Sequence, residues 1–396
     1  MKNFLPTHPP VASARTSTLF QDGSPQPTPG HDRIKIAWVG LNYGKATLAA
    51  IHQSPASQYF ELVGVCDLSE SRAVESGSYY EVPFFTDYNE MLRTLDLEAI
   101  ALFTGPFRRG ELIRQAVRAG KHVLTTKPFE TDPEEAASTL REATRLGRIV
   151  HLNSPGPTLS PDLVLVRDWQ QDHNLGMLVG ARGEAWAGYR EVPDGSWYDD
   201  PASCPLGPMF RLGIYLVNDL VQLCGPASCV HALESRLFTK RPTADNSQIG
   251  LLFENGAIGN IYASFCVADG DYFRNSLTLN FENGTIYKNQ GHTRTTNSLY
   301  GSELSLVKVV DGRRSVVEQA EMNNGSGAYQ WENFWKAVRG HSLENAADPS
   351  SLIEGLRIIQ AMARASTQGG TCNIKREPSV FTANGVAPAS LATAES

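Results

Sequence analysis

Residues 33–153 alternate short apolar runs with segments of helical periodicity. The predicted strands span 33–40, 60–67, 97–105, 121–128 and 148–153. The predicted helices span 45–53, 69–77, 109–120 and 132–147, with a loop and a further helix over 83–94. Because strands buried on both faces of a sheet read as continuous apolar runs, this alternation predicts an α/β domain with a doubly wound parallel sheet.

After residue 154 the pattern changes to longer segments of alternating apolar and polar residues. The predicted strands lie within 180–190, 227–238, 246–267, 275–290 and 304–312, and helices are predicted over 209–225, 328–340 and 350–367. The two "ENG" triplets at 254–256 and 282–284 are typical of hairpin turns. We therefore expect a second, α+β domain over 154–375 with a mainly antiparallel sheet.

The two ends of the chain differ from its middle. Residues 1–32 are rich in Pro, Ser and Thr, which predicts a disordered arm, either a loose tail or a clasp on a neighbouring subunit. Residues 376–396 are predicted to form a flexible tail. The N-terminus has neither an apolar signal core nor a twin arginine, so a cytoplasmic protein is expected.

Composition excludes several classes of function. The net charge of −7 argues against a protein that tracks nucleic-acid phosphates, since such proteins need a basic face. Without a run of about eighteen apolar residues, no membrane span is expected. The six cysteines form no C-x-x-C pair and have no histidines at zinc-ligand spacing, so no metal site is predicted.

The candidate site lies where the predicted parallel strands end. Ligands of open parallel sheets bind at the carboxyl ends of the strands. The first strand ends in "GLNYGKAT", an incomplete G-x-G-x-x-G motif that is either a dinucleotide-binding loop or only a tight turn. Gly40 permits a sharp turn and close approach to a pyrophosphate, Asn42 tolerates a left-handed backbone, and Tyr43 and Gly44 lead into the helix.

Polar residues follow the next strands at the same edge. Asp67 can accept the ribose hydroxyls of NAD and would repel the 2′-phosphate of NADP, or it caps the following helix. Arg72 nearby can hold a 2′-phosphate, so NADP stays possible. Thr104 and Gly105 are expected to border the cofactor through backbone groups.

Lys127 and Pro128 end the fourth strand, where they are expected to lie beside the nicotinamide of the cofactor. A partly desolvated lysine at this position can hydrogen-bond a substrate hydroxyl and stabilise the alkoxide that develops during hydride transfer. The alternative is a lysine in a surface loop, the usual place for this residue.

Four segments together resemble one known family. "GLNYG", "VCD", "AGKHVLTTKP" and "GPMFRLGIYLVNDLVQLCG" are similar to the Gfo/Idh/MocA family, which includes glucose–fructose oxidoreductase and inositol 2-dehydrogenase, over roughly residues 33–370. The resemblance implies an NAD(P)-binding Rossmann domain over 33–153. It also implies that the open sheet of the second domain shapes the substrate pocket and supplies the contacts of a homodimer or homotetramer.

The resemblance also assigns roles by position. The lysine of the family's E-K-P motif falls on Lys127, while Thr126 replaces its acid. The D-x-G-x-H-x-x-D motif falls on Arg211, Gly213, Tyr215 and Asn218. Tyr215 then replaces the histidine as proton donor or acceptor, with its pKa lowered by the Lys127 cation, or it is only a packed aromatic residue.

Four residues are candidates for substrate binding. Arg211, in place of an aspartate, either binds an anionic substrate or pairs with an acid such as Asp219 or Glu184. Asn218 and Asn153 would hydrogen-bond hydroxyl groups, and Trp197 could stack on a sugar face.

The expected function is NAD(P)-dependent hydride transfer between nicotinamide and a carbinol or carbonyl carbon of a sugar-like or cyclitol substrate, neutral or anionic. The altered motifs leave two alternatives open. One is a non-catalytic regulatory relative that keeps the dinucleotide as a ligand, and the other is a lyase or glycosidase that uses NAD transiently.

Overall fold

The computed structural model describes residues 32–52, 56–189, 191–269, 273–291, 300–348 and 350–376. Apart from Asp32 and Arg376, the predicted arm and tail lie outside these residues. None of the helices in the described ranges is long and apolar enough to cross a membrane.

The first domain is built around a parallel sheet. Its strands are β1 (Ile34–Val39), β2 (Phe60–Cys66), β3 (Phe84–Phe85), β4 (Ala99–Leu102), β5 (His122–Thr125) and β6 (Val150–His151). Its helices are α1 (Gly44–Ile51), α2 (Glu70–Tyr80), α3 (Tyr88–Thr94), α4 (Arg109–Arg118) and α5 (Pro133–Arg145). The strand order β3-β2-β1-β4-β5-β6 reverses direction between β1 and β4, where doubly wound sheets bind ligands.

The second domain carries a nine-stranded sheet. Its strands are β7 (Leu178–Trp186), β8 (Ala227–Ser235), β9 (Asn246–Phe253), β10 (Ile258–Ser264), β11 (Arg274–Phe281), β12 (Gly284–Gln290), β13 (Ser302–Val310), β14 (Arg313–Met322) and β15 (Thr371–Asn373). They lie in the order β14-β13-β12-β11-β7-β10-β9-β8-β15. Only the β7–β10 pair among the ladders of this sheet is parallel, which confirms the predicted mainly antiparallel sheet.

Four helices belong to the second half of the chain. They are α6 (Pro161–Asp172), α7 (Ile214–Cys224), α8 (Trp331–Val338) and α9 (Ser350–Gln368), and α7 continues a π-helical turn over Met209–Gly213. Helix α7 is buried along its whole length, since its residues pack between the sheet and α9.

Four of these elements were not expected from the sequence: α6, β14 and the short strands β3 and β15. Helix α6 buries Leu163, Val166 and Trp169 along one face, but the apolar Val164 and Leu165 between the first two obscure this periodicity. Strand β14 is an edge strand with no fully buried residue, so it lacks the apolar alternation that identifies a strand.

Helices α8 and α9 also complete the core of the first domain. Phe334 and Trp335 of α8 are buried against Trp38 and its neighbours in β1. Leu352 and Leu356 of α9 pack in the cluster around α4 and α5. Helices α8 and α9 therefore pack against opposite faces of the parallel sheet.

Candidate functional site

A cleft of about 1620 Å³ lies between the domains, at the carboxyl ends of β1, β2, β4 and β5. Of the residues predicted for the site, all but Gly44 and Asn218 line it. Pockets for one small ligand commonly measure about 300–1,000 Å³, so this cleft has room for a dinucleotide and a second molecule.

The loop after β1 depends on Gly40. Its φ is +88°, and a Cβ there would lie 2.8 Å from the carbonyl carbon and oxygen of Phe103. Asn42 lines the cleft but is not among the described residues with positive φ, so the reason expected for its presence is wrong. Gly44 is buried beneath the loop, where Trp38 Nε1 donates to its carbonyl oxygen at 3.0 Å.

Asp67 follows β2 and joins the loop after β1 to the segment that leads into α2. Its carboxylate accepts hydrogen bonds from the backbone N–H groups of Leu41 at 2.7 Å and Ser69 at 2.8 Å, and from Arg72 Nη2 at 2.9 Å. Burial opposes the charged form, but these bonds outweigh it and hold the pKa of Asp67 below its ordinary value. Asp67 and Arg72 therefore form one charged pair at the edge of the cleft.

Lys127 is a half-buried residue of the cleft and not a surface lysine. Its Nζ donates to the carbonyl oxygen of Arg211 and lies 4.3 Å from the ring centroid of Tyr215. Burial, together with the positive charges of Arg211 and Arg109, lowers the pKa of Lys127 to about 7. A lysine in this state can gain and lose a proton near neutral pH.

Tyr215 faces the cleft from α7, with its hydroxyl 3.3 Å from Asn153 Nδ2. Burial raises the pKa of this phenol well above its usual range. The expected lowering by Lys127 is therefore wrong. The lysine lies over the ring face, and desolvation of the phenolate dominates.

Asn153 connects the two candidate catalytic residues. Its Oδ1 accepts from the backbone N–H of Lys127 at 3.1 Å and from Thr126 Oγ1 at 3.2 Å. Its Nδ2 donates to Tyr215 and, at 3.0 Å, to the carbonyl oxygen of Gly327. With both ends of its amide bonded, Asn153 fixes the end of β5 relative to α7.

Arg211 forms an ion pair, with an acid that the sequence analysis had not named. Its two terminal nitrogens lie 2.6 and 2.7 Å from the oxygens of Glu191. Of the two acids expected as partners, Asp219 instead binds Lys288 at 3.0 Å, and Glu184 lies exposed on β7.

The other two substrate candidates differ in position. Trp197 covers the loop after β4, so closely that a Cβ on Gly105 would lie 3.1 Å from its ring. Asn218 lies outside the cleft: its side chain is buried, and its Nδ2 donates to Ser154 Oγ at 3.0 Å. The spacing of one helical turn between Tyr215 and Asn218 does not carry both side chains into the cleft.

Arg109 is a buried site residue that the sequence analysis did not select. Its guanidinium donates to the carbonyl oxygens of Thr104, Thr126 and Pro128 and so ties the loop after β4 to the loop after β5. Burial lowers the pKa of Arg109 to about 10. The sequence feature that could have indicated Arg109 is its place at the start of α4, directly after a loop that lines the cleft.

Comparison with protein-family models identifies the family of each of the two domains. A family model described as "Oxidoreductase family, NAD-binding Rossmann fold" matches residues 34–154. The model of the GFO/IDH/MocA C-terminal domain matches residues 163–287. The chain belongs to the Gfo/Idh/MocA family.

Curated relatives are distant and align over part of their length. An uncharacterised oxidoreductase of Schizosaccharomyces pombe is 26% identical over 162 residues, which are 40% of this chain and 43% of the relative. Levoglucosan dehydrogenase of Pseudarthrobacter phenanthrenivorans is 20% identical over 204 residues, which are 45% of this chain and 52% of the relative. The chain therefore spans about half the length of the curated relatives it matches.

Solved structures share the fold over most of the chain. Levoglucosan dehydrogenase in complex with NADH and L-sorbose gives a TM-score of 0.68 at 16% identity, covering 88% of this chain and 100% of that one. An NAD-binding oxidoreductase from Klebsiella pneumoniae gives 0.66 at 17% identity, covering 87% and 100%.

Proposed function

We propose that this protein is an NAD-dependent dehydrogenase or reductase that interconverts a secondary alcohol and a ketone on a sugar-like or cyclitol substrate. The observation that carries this proposal is the pairing of Lys127 and Tyr215 in the cleft that the Gly40 loop and Asp67 border. The levoglucosan dehydrogenase structures, named for complexes with NADH and sugars, support a substrate of this class.

The residues present fit a nicotinamide dinucleotide. Gly40 brings its backbone and the start of α1 to the cleft, where N–H groups can bind a pyrophosphate. Asp67 and Arg72 line the cleft, and we assign them to the adenosine ribose of such a cofactor, where the charged Asp67 would favour NAD over NADP. A bound nicotinamide would supply the hydride chemistry, as acceptor in oxidation of the substrate carbon and as donor in its reduction.

We assign the proton to Lys127. With a pKa of about 7, its amine can accept the proton of a substrate hydroxyl in oxidation and return it in reduction. Tyr215 remains a neutral phenol at this pH and hydrogen-bonds the substrate oxygen, while Asn153 orients its hydroxyl. These roles reverse the expected order, in which Tyr215 moved the proton.

Two variants test the proposal. Lys127→Met should lower kcat by about 10²–10⁴-fold because the proton acceptor is lost. Tyr215→Phe should lower kcat less, since only a hydrogen-bond donor is removed. In both, the Kd for NADH, measured by fluorescence titration, should stay within a few-fold of the wild-type value.

The matched control is Lys35→Met, which removes an exposed lysine paired with Asp96 at 2.5 Å. Near-normal turnover of Lys127→Met on a panel of sugars and cyclitols would remove Lys127 from the mechanism. Binding of NADH without turnover of any substrate would favour the regulatory relative. Substrate cleavage with bound NAD and no net nicotinamide reduction would favour the lyase or glycosidase.

We further propose that the protein is a cytoplasmic homodimer or homotetramer that associates through the open face of the nine-stranded sheet. Exposed apolar side chains on this sheet support the association, among them Val179, Leu252 and Ile258. Ile258 pairs directly with Leu252 across the β9–β10 ladder.

A further inference from the structure

The ion pair between Arg211 and Glu191 bears on which substrates the cleft accepts. We propose that Glu191 neutralises Arg211, so that the cleft binds neutral polyhydroxylated molecules more tightly than carboxylates or phosphates. The inference rests on the proposed function only in placing the substrate beside Lys127 and Tyr215.

The guanidinium of Arg211 is held on several sides. Its Cζ lies 3.8 Å from the ring centroid of Tyr198 and 4.6 Å from that of Phe265, and its terminal nitrogens bond both oxygens of Glu191. Only 12% of the side chain is exposed. Arg211 can therefore not bind a substrate carboxylate bidentately without giving up Glu191 and its aromatic contacts.

The other charged residues around Glu191 leave this side of the cleft without a net positive charge. Arg241, also buried, approaches Glu191 Oε2 to 3.3 Å and bonds Asp194 at 3.1 Å and Asp199. Two guanidinium groups thus face three carboxylates, and the cluster carries a net negative charge. An incoming anion would be repelled and would also lose its hydration.

The other arginines of the cleft are likewise bonded within the protein. Arg72 pairs with Asp67, and the terminal nitrogens of Arg109 bond backbone carbonyl oxygens. Lys127 has a pKa of about 7 and provides at most a partial charge at neutral pH. A neutral substrate suits this setting, because Glu191, with 23% of its side chain exposed, can accept hydrogen bonds from hydroxyl groups.

Matched ligand pairs test the inference. With NADH saturating, calorimetry would measure the Kd values of three pairs, each of a neutral ligand and an anionic one. The pairs are glucose and glucuronate, galactose and galacturonate, and glucose and glucose 6-phosphate. In the wild type the best neutral ligand should bind at least about tenfold more tightly than its anionic partner. In Glu191→Gln, Arg211 loses its partner, and its free charge should lower the Kd of the anionic ligand by about tenfold or more. The anionic ligand should then bind more tightly than its neutral partner.

Two control variants separate charge from folding. Asp96→Asn removes an exposed carboxylate outside the cleft and should leave all ratios unchanged. The double variant Glu191→Gln/Arg211→Gln removes both charges and should keep the preference for neutral ligands. If Glu191→Gln fails to fold, this double variant carries the test, and tight binding of the anion to it would contradict the proposal.

The inference is overturned if no neutral ligand binds the wild type more tightly than its anionic partner, or if folded Glu191→Gln leaves the ratios unchanged. Because the readout is binding, it is independent of turnover. Selective binding of neutral ligands without hydride transfer would contradict the proposed function and leave this inference intact.

Discussion

At the scale of single residues, Lys127 is the side chain whose chemistry the structure changes most. Its ordinary pKa is 10.5, and burial beside two arginines brings it to about 7. We expect kcat/KM for oxidation to rise with pH and level off above a midpoint near 7, because oxidation needs the neutral amine. In the reductive direction, which needs the ammonium form, kcat/KM should fall through the same midpoint.

Initial rates between about pH 5.5 and 9.5, in buffers of constant ionic strength, measure both profiles. Residual activity of Lys127→Met should lack the midpoint. A profile that is flat through neutrality, or whose midpoint lies near 10, would show that Lys127 is not the titrating group.

Gly40 is the position where one added methyl group should have the largest effect on the cofactor loop. In Gly40→Ala the Cβ would meet the backbone of Phe103 at 2.8 Å, and a positive φ disfavours alanine. We expect the free energy of unfolding to fall by about 1–3 kcal/mol and the Kd for NADH to rise at least about tenfold. Urea denaturation and fluorescence titration measure these two quantities.

Gly120→Ala is the matched control, because Gly120 has φ +78° and no atom within 4 Å of its would-be Cβ. Gly120→Ala measures the free-energy cost of alanine at a positive φ without the steric clash that Gly40→Ala adds. If both variants bind NADH equally well, the close approach at Gly40 does not shape the cofactor site.

At the scale of elements, a buried ionic cluster joins α6, α7 and β12. Lys288 Nζ lies 3.0 Å from carboxylate oxygens of both Asp162 and Asp219. Ser326 donates its hydroxyl to Asp219 and its N–H to Asp162, at 3.1 Å from the latter. Since Gly327 follows directly and contacts Tyr215 and Asn153, the cluster also holds the segment over the site.

Lys288→Met should leave two carboxylates buried without their cation. Burial already raises the pKa of Asp219, so the variant should take up protons and lose about 3–5 kcal/mol of unfolding free energy at pH 7. The loss should shrink as the pH is lowered, because protonation then relieves the unpaired charge. Denaturation curves at several pH values measure both effects.

The control for this variant is Lys308→Met on the neighbouring strand β13, where the lysine donates to the carbonyl oxygen of His173. We expect it to cost about 1 kcal/mol. A loss for Lys288→Met no larger than this would mean that the cluster contributes little to stability.

At the scale of the whole molecule, the open face of the nine-stranded sheet should govern assembly. Leu252→Lys and Ile258→Lys place charges on exposed apolar positions that pair across β9 and β10. We expect both variants to shift the oligomer towards monomer, because a buried unpaired ammonium group opposes association. Light scattering coupled to size-exclusion chromatography measures the mass.

Tyr79→Lys serves as the control, since Tyr79 is an exposed aromatic residue on α2 of the first domain and not on this sheet. It should leave the mass unchanged. A wild-type protein that runs as a monomer, or an oligomer that both sheet variants leave intact, would contradict this mode of assembly.

The amino-acid sequence by itself determined the parallel sheet, the antiparallel second sheet and the edge at which the site lies. These features follow from patterns a few residues long: apolar runs, hairpin turns such as 254–256, and Gly40 at the end of a strand. The carboxyl ends of parallel strands converge whatever the details of packing, so Asp67 and Lys127 could be placed at one cleft in advance.

Only the tertiary structure decided the chemistry of the side chains in that cleft. Arg211 pairs with Glu191, twenty positions earlier in another segment, and no local pattern indicates which acid it meets. Burial is likewise a property of the whole fold. It raises the pKa of Tyr215 and lowers that of Lys127, so the proton passes to the lysine. Desolvation and partner choice depend on long-range packing, which local sequence patterns do not encode.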